Sequence, residues 1–340
     1  CPVRTSTMSP RPTALDAHAL VEPAQRDLIR RLHDELGPFR RRLLAARGRL
    51  GADAAELTVD GRWELPPAPA DLQRRRVEIT GPPEPRMAAH ALASGADVWM
   101  GDLEDATSPT WDNIVRGHGV LRDAFVRRSA TQPTIVARPR GIHLVEGAVT
   151  VDAEPVAAAI VDVVLWSTGS HRDGAGAAPY VYLPKIETAD EAAWWARLLS
   201  AVDGARADRL VSRASVLVET LPAALQMDAI LFELRHHACA LNAGRWDYLF
   251  SAIKRRPAGS AVFPDRSALG MRVPFLQAYA EQIVARAHAR GAHAIGGMAA
   301  AVPSRRDAAQ TERALARVRE DKQREASQGF DGSWVAHPDL

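Results

Sequence analysis

The sequence predicts an α/β fold, a (β/α)₈ TIM barrel carrying an N-terminal helical clasp. Three observations predict it. The chain has 340 residues, which is a barrel of ~250 plus one appendage. Past residue 75, eight β-rich runs alternate with helix-length, Ala-rich segments, and eight is the strand count of the closed barrel. The runs end in charged or Gly-rich clusters, where a parallel barrel places its chemistry.

The clasp is residues 1–75 and the barrel 76–340. From Val21 to Leu50 the apolar positions Leu28, Leu32, Leu36, Leu43 and Leu44 recur at helical spacing, and Gly37-Pro38 predicts a hairpin broken there. Pro66-Pro67-Ala68-Pro69 is a stiff break. The eight predicted strands are Val77 to Thr80, Asp97 to Leu103, Thr134 to Arg138, Tyr180 to Pro184, Ser215 to Glu219, Ala240 to Asn242, Ala292 to Ile295 and Ser333 to Ala336. Predicted helices between them include Glu191 to Val202, Ala223 to Arg235 and Pro274 to Arg290. A doubly wound sheet is the runner-up, but no G-x-G-x-x-G follows a first strand to support it.

With 46% apolar and 25% charged residues the chain is of globular type, and disordered, collagenous and coiled-coil classes are excluded. A net charge of +2 offers no field for a phosphate backbone or anionic lipid, so neither nucleic acid nor membrane is expected as a partner. Three of the 43 basic residues are lysine, Lys185, Lys254 and Lys322, a bias that looks like GC-rich coding. Two cysteines, Cys1 and Cys239, make neither a disulfide framework nor a zinc site, and a reducing cytoplasm is the expectation. The longest apolar run, Val156 to Trp166, carries Asp162 in its middle and is too short to span a bilayer.

Carboxylates gather at the predicted strand ends: Asp102, Glu104 and Asp105 after the second, Glu219 after the fifth, Asp247 after the sixth. A hard divalent cation takes a few carboxylates plus waters and substrate oxygens, so Glu219 and Asp247 facing one another suit Mg²⁺. Taken singly, each acid is more often a helix cap or a solvated loop charge. Arg138, at a strand end, would either stabilise a developing oxyanion or pair with one of these acids on the rim. Around Gly244 a turn can aim successive backbone N–H groups at an anion. His236 and His237 read as a solvated or capping pair, and Cys239 as a small packed hydrophobe.

The stretch Arg235 to Phe250, with Leu241-Asn242-Ala243-Gly244-Arg245-Trp246-Asp247-Tyr248 at its centre, resembles the signature of the malate synthase family, closest to its shorter A-type branch. Ile79-Thr80-Gly81-Pro82, Gly101 to Asn113, Arg138 to Leu144, Tyr182 to Lys185, Gly291 to Ala300 and Trp334 to Pro338 are similar to the family in the same order, over residues 77–340. His236 and Ala240 depart from the family pattern, which has an acid or amide and a Gly there.

The resemblance implies Mg²⁺ held by Glu219 and Asp247, with glyoxylate and acetyl-CoA as substrates. It implies Arg138 as the catalytic arginine and the amides of Gly244 and Trp246 as the seat of the glyoxylate carboxylate. Glu104 and Asp105 match an acidic pair close to the metal, and Lys185 a strand-end lysine of open role. The implied reaction is a Claisen-type condensation followed by hydrolysis to malate and CoA, in the glyoxylate cycle. Family members carry their catalytic base in a helical domain after the barrel, and no counterpart precedes Leu340. The 340 residues alone are therefore expected to bind metal and glyoxylate but to turn over little. The alternatives are a malyl-CoA or citramalyl-CoA lyase-like enzyme and a catalytically silent glyoxylate-binding barrel. The Trp-Asp-Tyr and Ser-Pro-Thr-Trp segments resemble the synthases rather than the lyases.

Overall fold

A computed structural model describes residues 21–47, 56–169, 179–208, 210–256, 259, 262–265, 268–299 and 307–340. Eight strands pair in parallel in chain order and close on themselves. They are β1 (Val77–Gly81), β2 (Val98–Asp102), β3 (Thr134–Arg138), β6 (Tyr180–Leu183), β7 (Arg213–Val218), β8 (Ala238–Ala243), β9 (His293–Ala299) and β10 (Gly332–Val335). Each predicted run falls on one of them. The doubly wound alternative is excluded because β1 pairs with both β2 and β10.

Strand pleat sorts the core into two layers. Val98, Met100, Val136, Tyr180, Tyr182 and Leu217 fill the barrel interior with Cys239 and Trp334. Their neighbours Trp99, Ile135, Ala137, Val181, Val216 and Val218 face the outer helices. Continuing the inward parity by two residues reaches Asp102 on β2, Arg138 on β3 and Glu219 after β7. The same alternation that builds the core thus delivers three charged side chains to one mouth. At the other end Arg75 donates to Glu78 at 2.6 Å and to Tyr182 and Ser215 at 2.9 Å, and Trp334 donates to Glu78 at 2.9 Å, so the buried charge there is fully paired.

Outside the barrel lie α2 (Pro85–Leu92), α3 (Trp111–Arg127), α4 (Ala158–Gly169), α5 (Ala189–Ala205), α6 (Leu221–Leu225), α7 (Met227–Glu233), α8 (Arg245–Lys254), α9 (Pro274–Ala289) and α10 (Ala308–Gln328). Thr110, Thr188, Thr220 and Asp307 cap α3, α5, α6 and α10 with side-chain oxygens. The predicted helix Ala223 to Arg235 is two helices meeting at Gln226, whose side chain accepts from Ala189 N–H at 3.0 Å. A hairpin of β4 (Val145–Val151) and β5 (Glu154–Ala157), turning through left-handed Asp152 and Ala153, was not predicted, since neither turn residue is a Gly or Asn. Among the described residues no helix is long and apolar enough to cross a membrane.

The predicted break at Gly37-Pro38 is corrected: α1 (Pro23–Arg47) runs through it as one helix. Interior proline costs about 3 kcal/mol. The buried stripe Leu28, Ile29, Leu32, Leu36 and Leu43 lies on both sides of it and packs on α4 and α5, which outweighs that cost. Trp194 Nε1 of α5 donates to the Leu36 carbonyl at 3.0 Å, in the turn that the proline loosens. α4 is apolar on nearly every face, and such a helix is stable only when covered on both sides. α1, α3, α5 and the β4–β5 hairpin pack around it, and Trp166 Nε1 donates to the Tyr180 carbonyl of β6 at 3.1 Å. The residues at 1–20 and 48–55, including the start of the chain and the end of the predicted hairpin, lie outside the described ones.

His237 also departs from expectation. His236 is exposed, but His237 is buried, with Nδ1 3.0 Å from the Ser212 carbonyl and Nε2 2.9 Å from Ser200 Oγ. Burial holds its pKa below the usual value despite the Ser212 carbonyl and Asp203. Cys239 is packed in the interior as expected.

At the seam between β1 and β10, a Cβ placed on Gly332 would lie 1.7 Å from the Arg75 carbonyl oxygen, a backbone atom that cannot move without opening the barrel. Gly332→Ala is therefore expected to lower the unfolding free energy by about 3 kcal/mol in denaturant titration. A loss below about 0.5 kcal/mol would contradict this account of closure.

Candidate active site

Asp102 ends β2 with its carboxylate pointing into the barrel mouth. Its oxygens accept the Glu104 and Ala106 N–H groups at 2.9 and 3.0 Å, folding the loop that carries Glu104 and Asp105. Arg138 at the end of β3 meets it as a fork: Nε to Asp102 Oδ1 at 2.7 Å and Nη2 to Oδ2 at 2.7 Å. Nη2 also donates to Asp105 at 2.9 Å, and none of these bonds uses Nη1. The rim ion pair foreseen for Arg138 is thus present, and the guanidinium still lines the cavity.

Lys185 follows β6 in the left-handed region, with φ of 54°. That conformation costs an L-residue about 1 kcal/mol and persists only where several contacts fix it. Its N–H donates to Glu219 Oε1 at 2.6 Å. Its ammonium lies 3.0 Å from Asp247, 3.1 Å from Asp105 and 3.3 Å from Glu219. One turn of backbone therefore both orients Glu219 and places a cation among three acids.

Glu219 follows β7, and Asp247 sits in the first turn of α8. Gly244 precedes α8 because nothing larger fits: a Cβ there would stand 2.4 Å from Glu219 Cβ and 3.2 Å from its Cα. Tyr248 of α8 stacks on Tyr279 of α9 with ring centroids 3.9 Å apart, and the Tyr279 hydroxyl donates to the Val218 carbonyl. Arg245 donates to Asp321 of α10 at 2.9 Å. The N-terminus of α8 is held beside Glu219 from two directions. Its first turn, whose N–H groups lie on the side of the mouth, lacks a side-chain cap. Gly244 N–H, expected to join them, is engaged by the Val218 carbonyl at 3.3 Å.

Carboxylate oxygens of Asp105, Glu219 and Asp247 lie within 4.8 Å of one another. An all-oxygen set of this kind suits a hard divalent cation. Glu104 Oε2 is buried without a hydrogen-bond partner among the described residues, 3.5 Å from Arg138 and 3.6 Å from Lys185. An orphaned buried carboxylate oxygen beside a carboxylate cluster is a second sign that a cation or its water fits here. Burial pushes the Glu104 carboxyl up to about 8, against the pull of Arg138 and Lys185. Burial likewise pushes Glu219 up to about 7, with Asp247 adding to it and Lys185 and Arg138 opposing. Burial would also raise Asp105, but Arg138 and Lys185 outweigh it and hold that carboxyl below the usual range. Burial opposes the Lys185 charge, and Glu219 and Glu104 more than restore it.

A cavity of about 880 Å³ opens over this cluster, lined by Thr80, Arg138, Glu219 and Asp247 on its polar side and by Trp246 and Phe250 on its apolar side. Trp246 and Phe250 are 44% and 62% exposed, an uncovered apolar wall. Every predicted site residue lies at this mouth. Asp102 as the main partner of Arg138, and Asp105 as a direct member of the acidic triad, were not foreseen. Behind the rim, Arg140 is clamped by Asp162 and Glu146 at 2.7 to 2.9 Å, and His118 lies 3.2 Å from Asp162. The only sequence signal for that network was a lone acid in an apolar run.

The family model "Malate synthase, TIM barrel domain" matches residues 134–340. Malate synthase of Streptomyces clavuligerus is 47% identical over 91% of this chain and 63% of its own length. Those of Myxococcus xanthus and Oryza sativa are 44% and 46% identical, covering 83% and 82% of this chain and 55% and 53% of theirs. The chain thus spans little more than half the length of these relatives. Among solved structures, the protein CitE of Mycobacterium tuberculosis in complex with magnesium, acetoacetate and coenzyme A superposes with a TM-score of 0.52 at 19% identity, covering 78% of each chain, a likeness of fold.

Two outcomes follow from the geometry. Protons on Glu104 and Glu219 compete with a cation, so Mn²⁺ affinity should rise from pH 6 to about 8, by up to about tenfold per pH unit for each proton displaced, and then level off. Calorimetric titration showing no change across that range would contradict it. Gly244→Ala, by pushing on the Glu219 backbone, should weaken Mn²⁺ at least about tenfold while leaving the circular dichroism spectrum unchanged; unaltered affinity would contradict the steric argument.

Proposed function

The chain belongs to the malate synthase family, and from that premise we propose that it forms the metal- and glyoxylate-binding barrel of an enzyme that condenses acetyl-CoA with glyoxylate and hydrolyses the product to malate and CoA. The observation that carries this reading is the triad Asp105, Glu219 and Asp247 beside Arg138 at the barrel mouth. Glu219 and Asp247 are the proposed Mg²⁺ holders, with Asp105 next to them. When bound, the ion supplies Lewis acidity at the glyoxylate aldehyde.

The chain's own residues do the rest of the positioning. The uncapped first turn of α8, through the Trp246 amide, receives the glyoxylate carboxylate. Because Gly244 N–H already serves Val218, its part is to admit Glu219 closely. The apolar wall of Trp246 and Phe250 suits the acyl arm of the thioester. In the reaction a base removes a proton from the acetyl methyl, and the enolate carbon attacks the aldehyde carbon. The resulting alkoxide is protonated, and water then cleaves the thioester to release the CoA thiol. Arg138, fixed by Asp102, stabilises the negative charge that develops on oxygen. Glu104 and Asp105 orient waters and the arginine, and Lys185 neutralises the clustered acids before the ion arrives. On this reading the base belongs to the part of the relatives that the chain does not span. The reading includes a place in the glyoxylate cycle and a cytoplasmic location, the latter from the sparse cysteine content.

The whole protein should release thiol from acetyl-CoA only when glyoxylate and Mg²⁺ are both present. The fork between Arg138 and Asp102 is buried, so removing the arginine charge would cost folding as well as turnover. Arg138→Lys keeps the charge, loses the fork, and should lower kcat by about 10²- to 10³-fold. Thiol release without glyoxylate, or Lys-variant turnover within threefold of the parent, would contradict the proposal.

A further inference from the structure

α1 ends on Arg47, whose guanidinium leaves the helix and reaches the loop after β6. Nε donates to Glu191 Oε1 at 2.6 Å, and Nη2 donates to Glu191 Oε2 at 2.8 Å and to the Lys185 carbonyl at 2.7 Å. Glu191 is 1% exposed, so this is a fork held away from water. The same Glu191 Oε2 accepts the Glu187 N–H at 2.8 Å, and Glu191 N–H donates to Thr188 Oγ1 at 3.3 Å. The fork joins α1 to the first turn of α5, and the remaining bonds act on the short segment between β6 and α5.

The left-handed Lys185 is the residue these bonds fix. Its carbonyl is taken by Arg47 and its N–H by Glu219 Oε1 at 2.6 Å, so the peptide units on either side of its Cα are gripped from opposite directions. Turning Lys185 out of this conformation would withdraw the N–H from Glu219 and the ammonium from Asp105 and Asp247 together. A second arginine of the helix does the same for the loop after β3: Arg40 donates to the Ile142 carbonyl at 2.5 Å and to the Leu144 carbonyl at 3.3 Å. The N-terminal helix is therefore tied to the backbone of two mouth loops, in addition to its packing on α4 and α5.

We infer that Arg47 is a positioning residue of the acidic cluster, acting through the Lys185 backbone on Glu219, and that the N-terminal helix is by this route part of the active site. The inference rests on the metal-site reading above, and the test separates the two. Mn²⁺ binding is measured calorimetrically on the parent protein, Arg47→Met and Arg47→Lys, beside thermal unfolding of each. Arg47→Met should weaken Mn²⁺ about tenfold or more, and Arg47→Lys, which can still donate to the Lys185 carbonyl, should recover part of it. A purely structural role would lower the melting temperature and leave the affinity of the folded protein unchanged. Should Arg47→Met fail to fold, Glu191→Gln, which keeps an acceptor for Glu187 N–H, reads the same quantity and should weaken Mn²⁺ about threefold or more. Affinity within twofold of the parent in a folded variant overturns the positioning role alone. Absence of Mn²⁺ binding by the parent overturns the metal-site reading and this inference with it.

Discussion

Five carboxylates and two cations share the mouth of this barrel, and their mutual neutralisation is the constraint on which the site depends. Asp102, Glu104 and Asp105 converge on Arg138, and Glu104, Asp105, Glu219 and Asp247 on Lys185. Buried like charges repel strongly at low dielectric, so the acids tolerate this spacing only because the arginine and the lysine stand between them. Two cations stand against five acids, and burial, which Arg138 and Lys185 oppose, leaves Glu104 and Glu219 with raised pKa values. A site left short of positive charge is one that gains by binding a divalent ion.

The scaffold supplies this arrangement through strand parity and close backbone approach. Inward-facing positions two residues apart run from the apolar interior to Asp102, Arg138 and Glu219, so register of the whole sheet sets their spacing. Gly244 lets α8 begin against Glu219, and Tyr279 ties α9 to the Val218 carbonyl just before it. The opposite, N-terminal end of the barrel holds its own buried charge in a closed network around Arg75 and Glu78, with each charge matched. The contrast between a matched network at one end and an acid-rich one at the other is what places the proposed chemistry at the C-terminal mouth.

Much of this was legible in the sequence, for physical reasons. The eight strands were visible because parallel barrel strands are continuous apolar runs closed by polar clusters, and Glu219 and Asp247 stood out as acids at such ends. The helix through Gly37-Pro38 was not legible, because its continuity comes from burial of Leu36 and Leu43 against α4 and α5, a tertiary effect that local propensity opposes. His237 was misread for the same reason: its partners Ser200 and Ser212 arrive from other elements. Asp102 was seen as one acid among several, since the fork to Arg138 depends on the register of β2 with β3, which pairs these two residues directly. Arg47 was one arginine among many, and only the left-handed turn at Lys185 distinguishes it.

The most direct test of the account is anomalous diffraction from crystals of the protein grown with Mn²⁺. The account predicts one strong peak in contact with carboxylate oxygens of Glu219 and Asp247, with the Lys185 ammonium moved away from the place it holds between them. No peak at the mouth, or a peak elsewhere with the Lys185 bonds intact, would contradict it.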